Sequence, residues 1–289
     1  MLFVTANILL AEEQVTDAVS PEEPTPSKLA LNGKFARSDN WMVVTANPLA
    51  SEAGAKILQN GGTAADAMVA VQAMLGLVEP QSSGLGGGAF LVWFDAKTKE
   101  ITTLDGRETA PSGVYPEIFL DKAGKPLKFF EAVVGGLSVG VPGTPALMEV
   151  AQKRWGNQIW SFLFKHAISI AVTGFKVSPR LGKLIAYDQE RLRTFKATSA
   201  YFGSKGSFIK AGEFLRNLHY AETLKTLALN GSKSFYSGEI AKGIVNTVQN
   251  KNNNPGVLTL SDINNYKVKE REAICSKYRG FDICGMGPP

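Results

Sequence analysis

The sequence predicts an α+β protein, in which helices and strands occupy separate stretches of the chain. Residues 89–94 form an apolar run (AFLVWF) that is too short for a helix and rich in strand formers. A turn at 95–99 leads to a second strand at 101–104. Helix start signals occur at Asn47 and Thr63. The hydrophobic content of 44% is ordinary for a globular protein and is enough to build a core.

The first elements follow from local signals. A short strand is expected at 41–45. Asn47 then caps a helix that ends at Gly61. Thr63 and an aspartate three residues later form a capping box for a second helix, which Pro80 stops. This helix is rich in alanine, which predicts close packing against a sheet. The apolar run after it is typical of a strand buried on both faces.

The later elements are predicted in the same way. A glycine-rich, strand-like segment is expected at 133–141, and 201–203 with the polar stretch after it is expected to be a loop. A short helix or turn is expected at 260–262 and a strand at 266–272. The remaining helices are expected at 144–155, 160–172, 178–193, 221–229 and 240–249.

A glycine-rich segment at 79–88 reads EPQSSGLGGG and lies directly before the first strand. A dinucleotide-binding loop follows a strand and opens a helix, so this order argues against phosphate binding. The glycines are instead expected to allow positive φ angles or a close approach of two backbone segments.

Arg107 lies just past the end of the second strand, where Asp105 and Gly106 break the pattern. A rigid sheet holds a side chain in place for binding at such a position. The planar guanidinium suits a substrate carboxylate, because it makes two parallel hydrogen bonds. The alternative is a solvated surface arginine.

The segment 79–111 resembles the large-subunit signature of the gamma-glutamyltransferase (glutathione hydrolase) family. The resemblance extends over roughly 41–289. It includes, in order, the runs KTL at 225–227, FYSG at 235–238, LTLSD at 258–262, YRG at 278–280 and PP at 288–289. It implies the N-terminal nucleophile hydrolase fold, an αββα sandwich in which two sheets lie between helical layers. Residues 39–289 would supply an incomplete, large-subunit part of it.

The resemblance also implies an activity. Members transfer the γ-glutamyl group of glutathione and similar compounds to water or to amino-acid and peptide acceptors, through a threonine acyl-enzyme. They arise from a precursor that cuts itself into a large and a small subunit. Arg107 would bind the substrate α-carboxylate. Glu108 would orient Arg107 or contact the α-amine, or it would be a solvated carboxylate.

No catalytic residue is expected within this chain. The family's nucleophile begins the small subunit, after the position that matches Pro289. The pair Thr102 and Thr103 lies inside a predicted strand and is not expected to be the processing site. Two alternatives remain open: a related acylase that acts on a glutaryl (cephalosporin) side chain or on poly-γ-glutamate, or a catalytically inactive fragment or interaction protein.

Composition excludes several other functions. The net charge of +5 comes from 31 basic and 26 acidic residues that are scattered, which argues against nucleic-acid binding. No apolar stretch is long enough to span a membrane. The two cysteines and two histidines have no metal-ligand spacing, so no metal is expected, and the resemblance implies no cofactor.

The chain ends carry weaker signals. Residues 1–11 are typical of the apolar part of a secretory signal, although a late-assigned start codon or a simple apolar tail would look the same. Residues 12–38 are expected to be a flexible, proline-rich lead-in. Export predicts a periplasmic or secreted location. Cys275 and Cys284 bracket a predicted hairpin and would pair across it after export, but ordinary buried cysteines are the favoured interpretation.

One prediction follows from the missing nucleophile. The 289-residue polypeptide alone is expected to release no aniline from a γ-glutamyl anilide, because nothing in it forms the acyl-enzyme. A chromogenic assay of the purified polypeptide checks this. Turnover above the blank would contradict it.

Overall fold

The computed structural model describes residues 35–204, 206–250, 252 and 254–289. The predicted signal segment at 1–11 and most of the predicted lead-in at 12–38 lie outside these residues, while 35–38 are exposed and irregular. The helices are α1 Pro48–Gln59, α2 Ala64–Val78, α3 Phe129–Val133, α4 Thr144–Trp155, α5 Trp160–Leu163, α6 Lys165–Thr173, α7 Pro179–Tyr187, α8 Gln189–Thr194, α9 Lys196–Phe202, α10 Leu218–Asn230, α11 Lys233–Tyr236, α12 Gly238–Val248 and α13 Leu260–Asn264. The strands are β1 Ala89–Phe94, β2 Ile101–Gly106, β3 Phe175–Lys176, β4 Gly203–Ser204, β5 Ser207–Phe208, β6 Phe214–Leu215, β7 Lys269–Arg271, β8 Ile274–Tyr278 and β9 Phe281–Gly285.

The first two helices begin as predicted. The Asn47 side chain accepts a hydrogen bond from the Leu49 amide, and Thr63 and Asp66 form a reciprocal capping box. Most of α2 is buried, and it packs chiefly against α1, α4 and α6. Its small alanine side chains therefore allow close packing against helices, and the prediction that they pack against a sheet is wrong. Met68 of α2 packs against the small cluster formed by Leu104 of β2 with Leu147 and Ala151 of α4.

The main sheet has three antiparallel strands in the order β1–β2–β7. The prediction that β1 is buried on both faces is wrong. Phe90, Val92 and Phe94 are 40%, 49% and 55% exposed, whereas Leu91 and Trp93 face the molecule. Strand side chains alternate between faces, and α4 covers one face only. On that face the ring of Trp93 stacks on Trp155, with centroids 4.6 Å apart and planes within 6°.

Three predictions, of two strands and one loop, are also wrong, and two predicted helices are interrupted. Residues 41–45 are extended but form no strand pair within the described part of the chain. The segment 133–141 is not a strand, since α3 runs to Val133 and Gly135 then takes a φ of 115°, outside the strand region. Residues 201–203 end α9 and enter β4 instead of forming a loop. The helices predicted at 160–172 and 178–193 are each divided in two, at Phe164 and at Asp188.

Cys275 and Cys284 form a disulfide, so the prediction of two buried cysteines is wrong. They lie directly opposite each other in the β8–β9 hairpin, with Cα atoms 4.1 Å apart, within reach of a covalent bond. The hairpin forms a separate two-stranded sheet, and its strand β8 is exposed along its whole length. Cys275 is therefore not a core residue.

The disulfide is expected to stabilise the hairpin locally. Closing a loop of this size contributes about 2–3 kcal/mol in the chain-entropy model. Replacing both cysteines with serine should speed hydrogen exchange of the β8 and β9 amides and leave the protected amides of α2 unchanged. Equal exchange rates in the hairpin with and without the disulfide would contradict this role. The disulfide itself is verified if the two cysteines react with an alkylating reagent only after reduction.

Candidate substrate-binding site

The predicted site residue Arg107 follows directly after β2, and Asp105 fixes its position. The Asp105 carboxylate accepts the Arg107 amide at 2.9 Å and the Arg271 Nε at 2.8 Å, so it connects the end of β2 to β7. Its side chain is 7% exposed. Burial alone would raise the Asp105 pKa, but the Arg107 amide and the Arg271 guanidinium outweigh burial and lower it. Asp105 is therefore a charged, fixed anchor.

The carbonyl of Arg107 is fixed from the other side by Tyr266. The Tyr266 hydroxyl donates to this carbonyl at 2.7 Å. Its ring stacks on Tyr236, whose own hydroxyl accepts the Ala146 amide at the start of α4. Burial, with the nearby charges of Asp105 and Glu108, raises the pKa of Tyr266 to about 12. Tyr266 is thus a neutral donor near neutral pH, and both backbone polar groups of Arg107 are held.

The Arg107 side chain, in contrast, is available to a ligand. It is 57% exposed, and its guanidinium carbon lies 5.9 Å from the centre of the Phe90 ring. Its Nε lies 4.0 Å from the Glu108 carboxylate, too far for a hydrogen bond. The guanidinium donates no hydrogen bond to any residue in the described part of the chain. A fixed main chain with unused donors suits the recognition of an anion.

The second predicted site residue, Glu108, packs closely against two glycines. A Cβ added at Gly88 would lie 2.7 Å from the Glu108 amide nitrogen, and one added at Gly140 would lie 3.0 Å from the Glu108 Cβ. The predicted close backbone approach is therefore confirmed. The other prediction, positive φ angles, is wrong for the glycine run at 84–88, where none of the glycines takes one.

The glycine loop is also tied to the start of α4. The Gly87 carbonyl accepts the amides of Gly143 at 2.9 Å and Thr144 at 3.1 Å. A side chain at Gly143 would collide with the Gly106 carbonyl and with the Tyr266 hydroxyl. Since Gly143 allows the loop, β2 and α4 to meet, these glycines serve packing.

A buried ion pair holds the other end of the loop. Glu79, which ends α2, is 1% exposed and accepts Arg180 Nη1 at 3.1 Å and Asn47 Nδ2 at 2.6 Å. Arg180, at the start of α7, also donates to the Ser82 hydroxyl. The sequence alone does not reveal this pair, because its members are separated by 101 residues and neither has a local motif.

Two cavities meet at Glu108. The larger, the glycine-loop cavity, has a volume of about 460 Å³, within the usual range of ligand pockets. It is lined by Gln72, Pro80, Ser82, Ser83, the loop glycines and Glu108. The smaller, the basic pocket, has a volume of about 80 Å³. It is lined by Asp105, Arg107, Glu108, Thr109, Tyr266, Lys267, Lys269, Arg271 and Pro289.

The threonine pair is placed where the sequence predicts. Thr102 and Thr103 lie inside β2, and the buried Thr103 hydroxyl donates to the carbonyl of Arg271. Thr103 is thus occupied in holding β2 to β7 and is not accessible as a nucleophile. Tyr266 and Arg271 are not recognisable from the sequence as neighbours of Arg107, since only the pairing of β7 with β2 brings them there.

Comparison with solved structures assigns the fold of this chain to a known class of proteins. The solved gamma-glutamyltranspeptidase of Helicobacter pylori superposes with a TM-score of 0.83 at 35% identity, over 88% of this chain and 72% of that one. The cephalosporin acylase of Bacillus halodurans superposes with a TM-score of 0.71 at 29% identity, over 86% of this chain and 48% of that one. The predicted N-terminal nucleophile hydrolase fold is thereby confirmed.

The family is shown by sequence. The family profile described as Gamma-glutamyltranspeptidase matches residues 50–289, and this chain belongs to that family. The glutathione hydrolase proenzyme of Bacillus subtilis (strain 168) is 40% identical over 248 residues, which are 86% of this chain and 42% of that relative. The chain thus spans less than half the length of this relative. Within the described residues, no helix is both long and apolar enough to cross a membrane.

The anchoring role of Asp105 predicts a pH-dependent loss of stability. Asp105→Asn is expected to reduce the free energy of unfolding by about 1–2 kcal/mol at neutral pH, because the part-buried guanidinium of Arg271 loses its negatively charged partner. The folded pKa of Asp105 is lowered. The stability lost by the variant is therefore fully present above the pKa of Asp105 in the unfolded chain, about 3.9. It disappears as the pH falls through the lower pKa of Asp105 in the folded protein.

Urea unfolding at about pH 7 and about pH 3 measures this difference. The exposed Asp282, replaced in the same way, is the control and should show little change at either pH. A deficit of Asp105→Asn that stays constant down to the lower pH would contradict the assignment.

Proposed function

We propose that the full-length protein transfers γ-glutamyl groups from glutathione and related donors to water or to amino-acid and peptide acceptors. Arg107 carries this proposal, because its main chain is fixed from both sides while its guanidinium remains free at the basic pocket. That pocket shares Glu108 with the ligand-sized glycine-loop cavity. A γ-linked glutamyl group presents a free α-carboxylate near the scissile bond, and the planar fork of an arginine binds it in two places. Glu108, on the border of both cavities, contacts the α-amine.

The chemistry is acyl transfer. A threonine hydroxyl, supplied by a small subunit cut from the same precursor, attacks the γ-carbonyl carbon, and its proton leaves with the departing amine. Water or an acceptor amine then attacks the resulting ester and restores the hydroxyl. The described residues contribute substrate positioning to this reaction, and positioning alone lowers a barrier substantially.

A second candidate is the hydrolysis of a glutaryl side chain, as in a cephalosporin acylase. The structural similarity to the Bacillus halodurans acylase supports it. A glutaryl group carries a carboxylate but no α-amine. Comparing a γ-glutamyl anilide with a glutaryl anilide decides between the two, since only the first needs a partner for an amine.

The proposed location is periplasmic or secreted. The exposed disulfide between Cys275 and Cys284 supports it, because such bonds persist in oxidising compartments.

Replacing Arg107 tests the proposed function. In the full-length protein, Arg107→Ala should lower kcat/KM for a γ-glutamyl anilide roughly 30- to 1000-fold, mostly through KM, as expected for a charge-assisted contact of about 2–4 kcal/mol. Arg107→Lys should fall between this variant and wild type, because it keeps the charge and loses the fork.

The control is Arg193→Ala, which removes an arginine of similar exposure, 48% against 57% for Arg107. Its kinetics should match wild type. Unchanged kinetics of Arg107→Ala would reject the role of Arg107, and no turnover by the wild-type protein would reject the activity itself.

A further inference from the structure

The segment 175–216 carries the positive charge of this chain. It contains nine basic and three acidic side chains, a net charge of +6, whereas the whole chain carries +5. Ion pairs neutralise two of the three carboxylates, since Arg191 pairs with Asp188 and Arg193 pairs with Glu190. The remaining basic side chains outnumber the one remaining carboxylate, which leaves the segment with a positive surface.

The fold of this segment brings three of its lysines together. β3, which carries Lys176, pairs with β6. The chain just before β6 packs on α7, where a Cβ added at Gly182 would lie 2.6 Å from the Ala211 amide nitrogen. Lys183 and Lys210 are the sequence neighbours of these two contacting residues. All three lysines are exposed, and their ammonium groups have no ion-pair or hydrogen-bond partner in the part of the chain that the structure describes.

Two exposed aromatic side chains lie among these lysines. Phe214 is 64% exposed and lies directly opposite Lys176 in the β3–β6 register. Tyr187 is 81% exposed and follows Lys183 by four residues on α7, so the two emerge on the same side of that helix. The lysine–aromatic face consists of these four residues and Lys210.

The composition of the lysine–aromatic face suits a membrane surface. Its one nearby carboxylate, that of Glu213, accepts the backbone amide of Lys210 at 2.7 Å. The lysines attract anionic lipid headgroups, which carry negative charge on their phosphates. Tyrosine and phenylalanine rings enter the interface between water and the acyl chains, whereas a soluble phosphate would need the lysines alone.

From this arrangement we infer that the lysine–aromatic face attaches the full-length protein reversibly to a membrane rich in anionic phospholipids. The ammonium groups lie at the lipid phosphates, and the rings of Tyr187 and Phe214 enter the headgroup region. This attachment involves neither Arg107 nor Glu108, so it does not depend on the proposed function.

Cosedimentation of the full-length protein with lipid vesicles tests the attachment. At a salt concentration of about 0.1 M, wild type should bind vesicles that contain phosphatidylglycerol and should stay in solution with phosphatidylcholine alone. The triple variant Lys176→Gln/Lys183→Gln/Lys210→Gln should bind roughly 100-fold more weakly, because each lysine near an anionic surface contributes about fivefold. The double variant Tyr187→Ser/Phe214→Ser should bind at least about tenfold more weakly.

The matched control is Lys97→Gln/Lys122→Gln/Lys125→Gln, which removes the same charge from exposed positions outside the segment. It should bind the vesicles as wild type does. Equal losses in the two triple variants would assign binding to net charge and overturn the face. Failure of wild type to bind phosphatidylglycerol vesicles would also overturn it. Far-ultraviolet circular dichroism verifies that the variants are folded.

A labelled DNA duplex distinguishes a membrane from another polyanion. Vesicle binding that requires both the lysines and the aromatic residues supports the membrane assignment. Tighter binding to the duplex than to the vesicles at equal phosphate concentration, unchanged in the aromatic variant, would overturn it.

Discussion

The buried carboxylate of Glu79 is the interaction on which the arrangement of the site depends. It joins the start of α1 through Asn47, the end of α2, and the start of α7 through Arg180. Glu79 is 1% exposed, and a buried carboxylate is costly unless it is paired and hydrogen-bonded. An arrangement that separated these segments would leave it without its partners, so the three segments are held together. The glycine loop leaves from this point, and Arg180 also holds it at Ser82. The wall of the larger cavity is therefore fixed by a group that does not line it.

In the proposed substrate-binding site, the main chain of Arg107 is fixed while its side chain stays free. Asp105 and Tyr266 fix the backbone of Arg107 on both sides, while the guanidinium remains in solvent beside Phe90. Ordering the main chain in advance lowers the entropy cost of binding, because only the side chain has still to be ordered. The glycines at 88, 140 and 143 allow the neighbouring backbones close enough to make these contacts.

Local signals predicted much of the fold. The caps at Asn47 and Thr63 and the β1–β2 hairpin depend on neighbouring residues, and the sequence shows them directly. It did not show the exposed face of β1, because an apolar run looks the same whether one or both faces are covered. The position of Arg107 after a strand end made it a candidate, and family resemblance assigned binding roles to Arg107 and Glu108. Their role in binding substrate stays a prediction. Their supports, Tyr266 and Arg271, come from distant segments that only folding brings to them.

The stack of Trp93 on Trp155 gives the protein an intrinsic optical signal. The chain has four tryptophans, and two of them form this near-parallel pair across the interface of β1 and α4. Two indole rings 4.6 Å apart couple electronically, so their absorption and emission differ from those of separated rings. Detachment of β1 from α4 would end that coupling even if the helices stayed intact. Fluorescence therefore follows the docking of the strand that leads out of the glycine loop, without any added label.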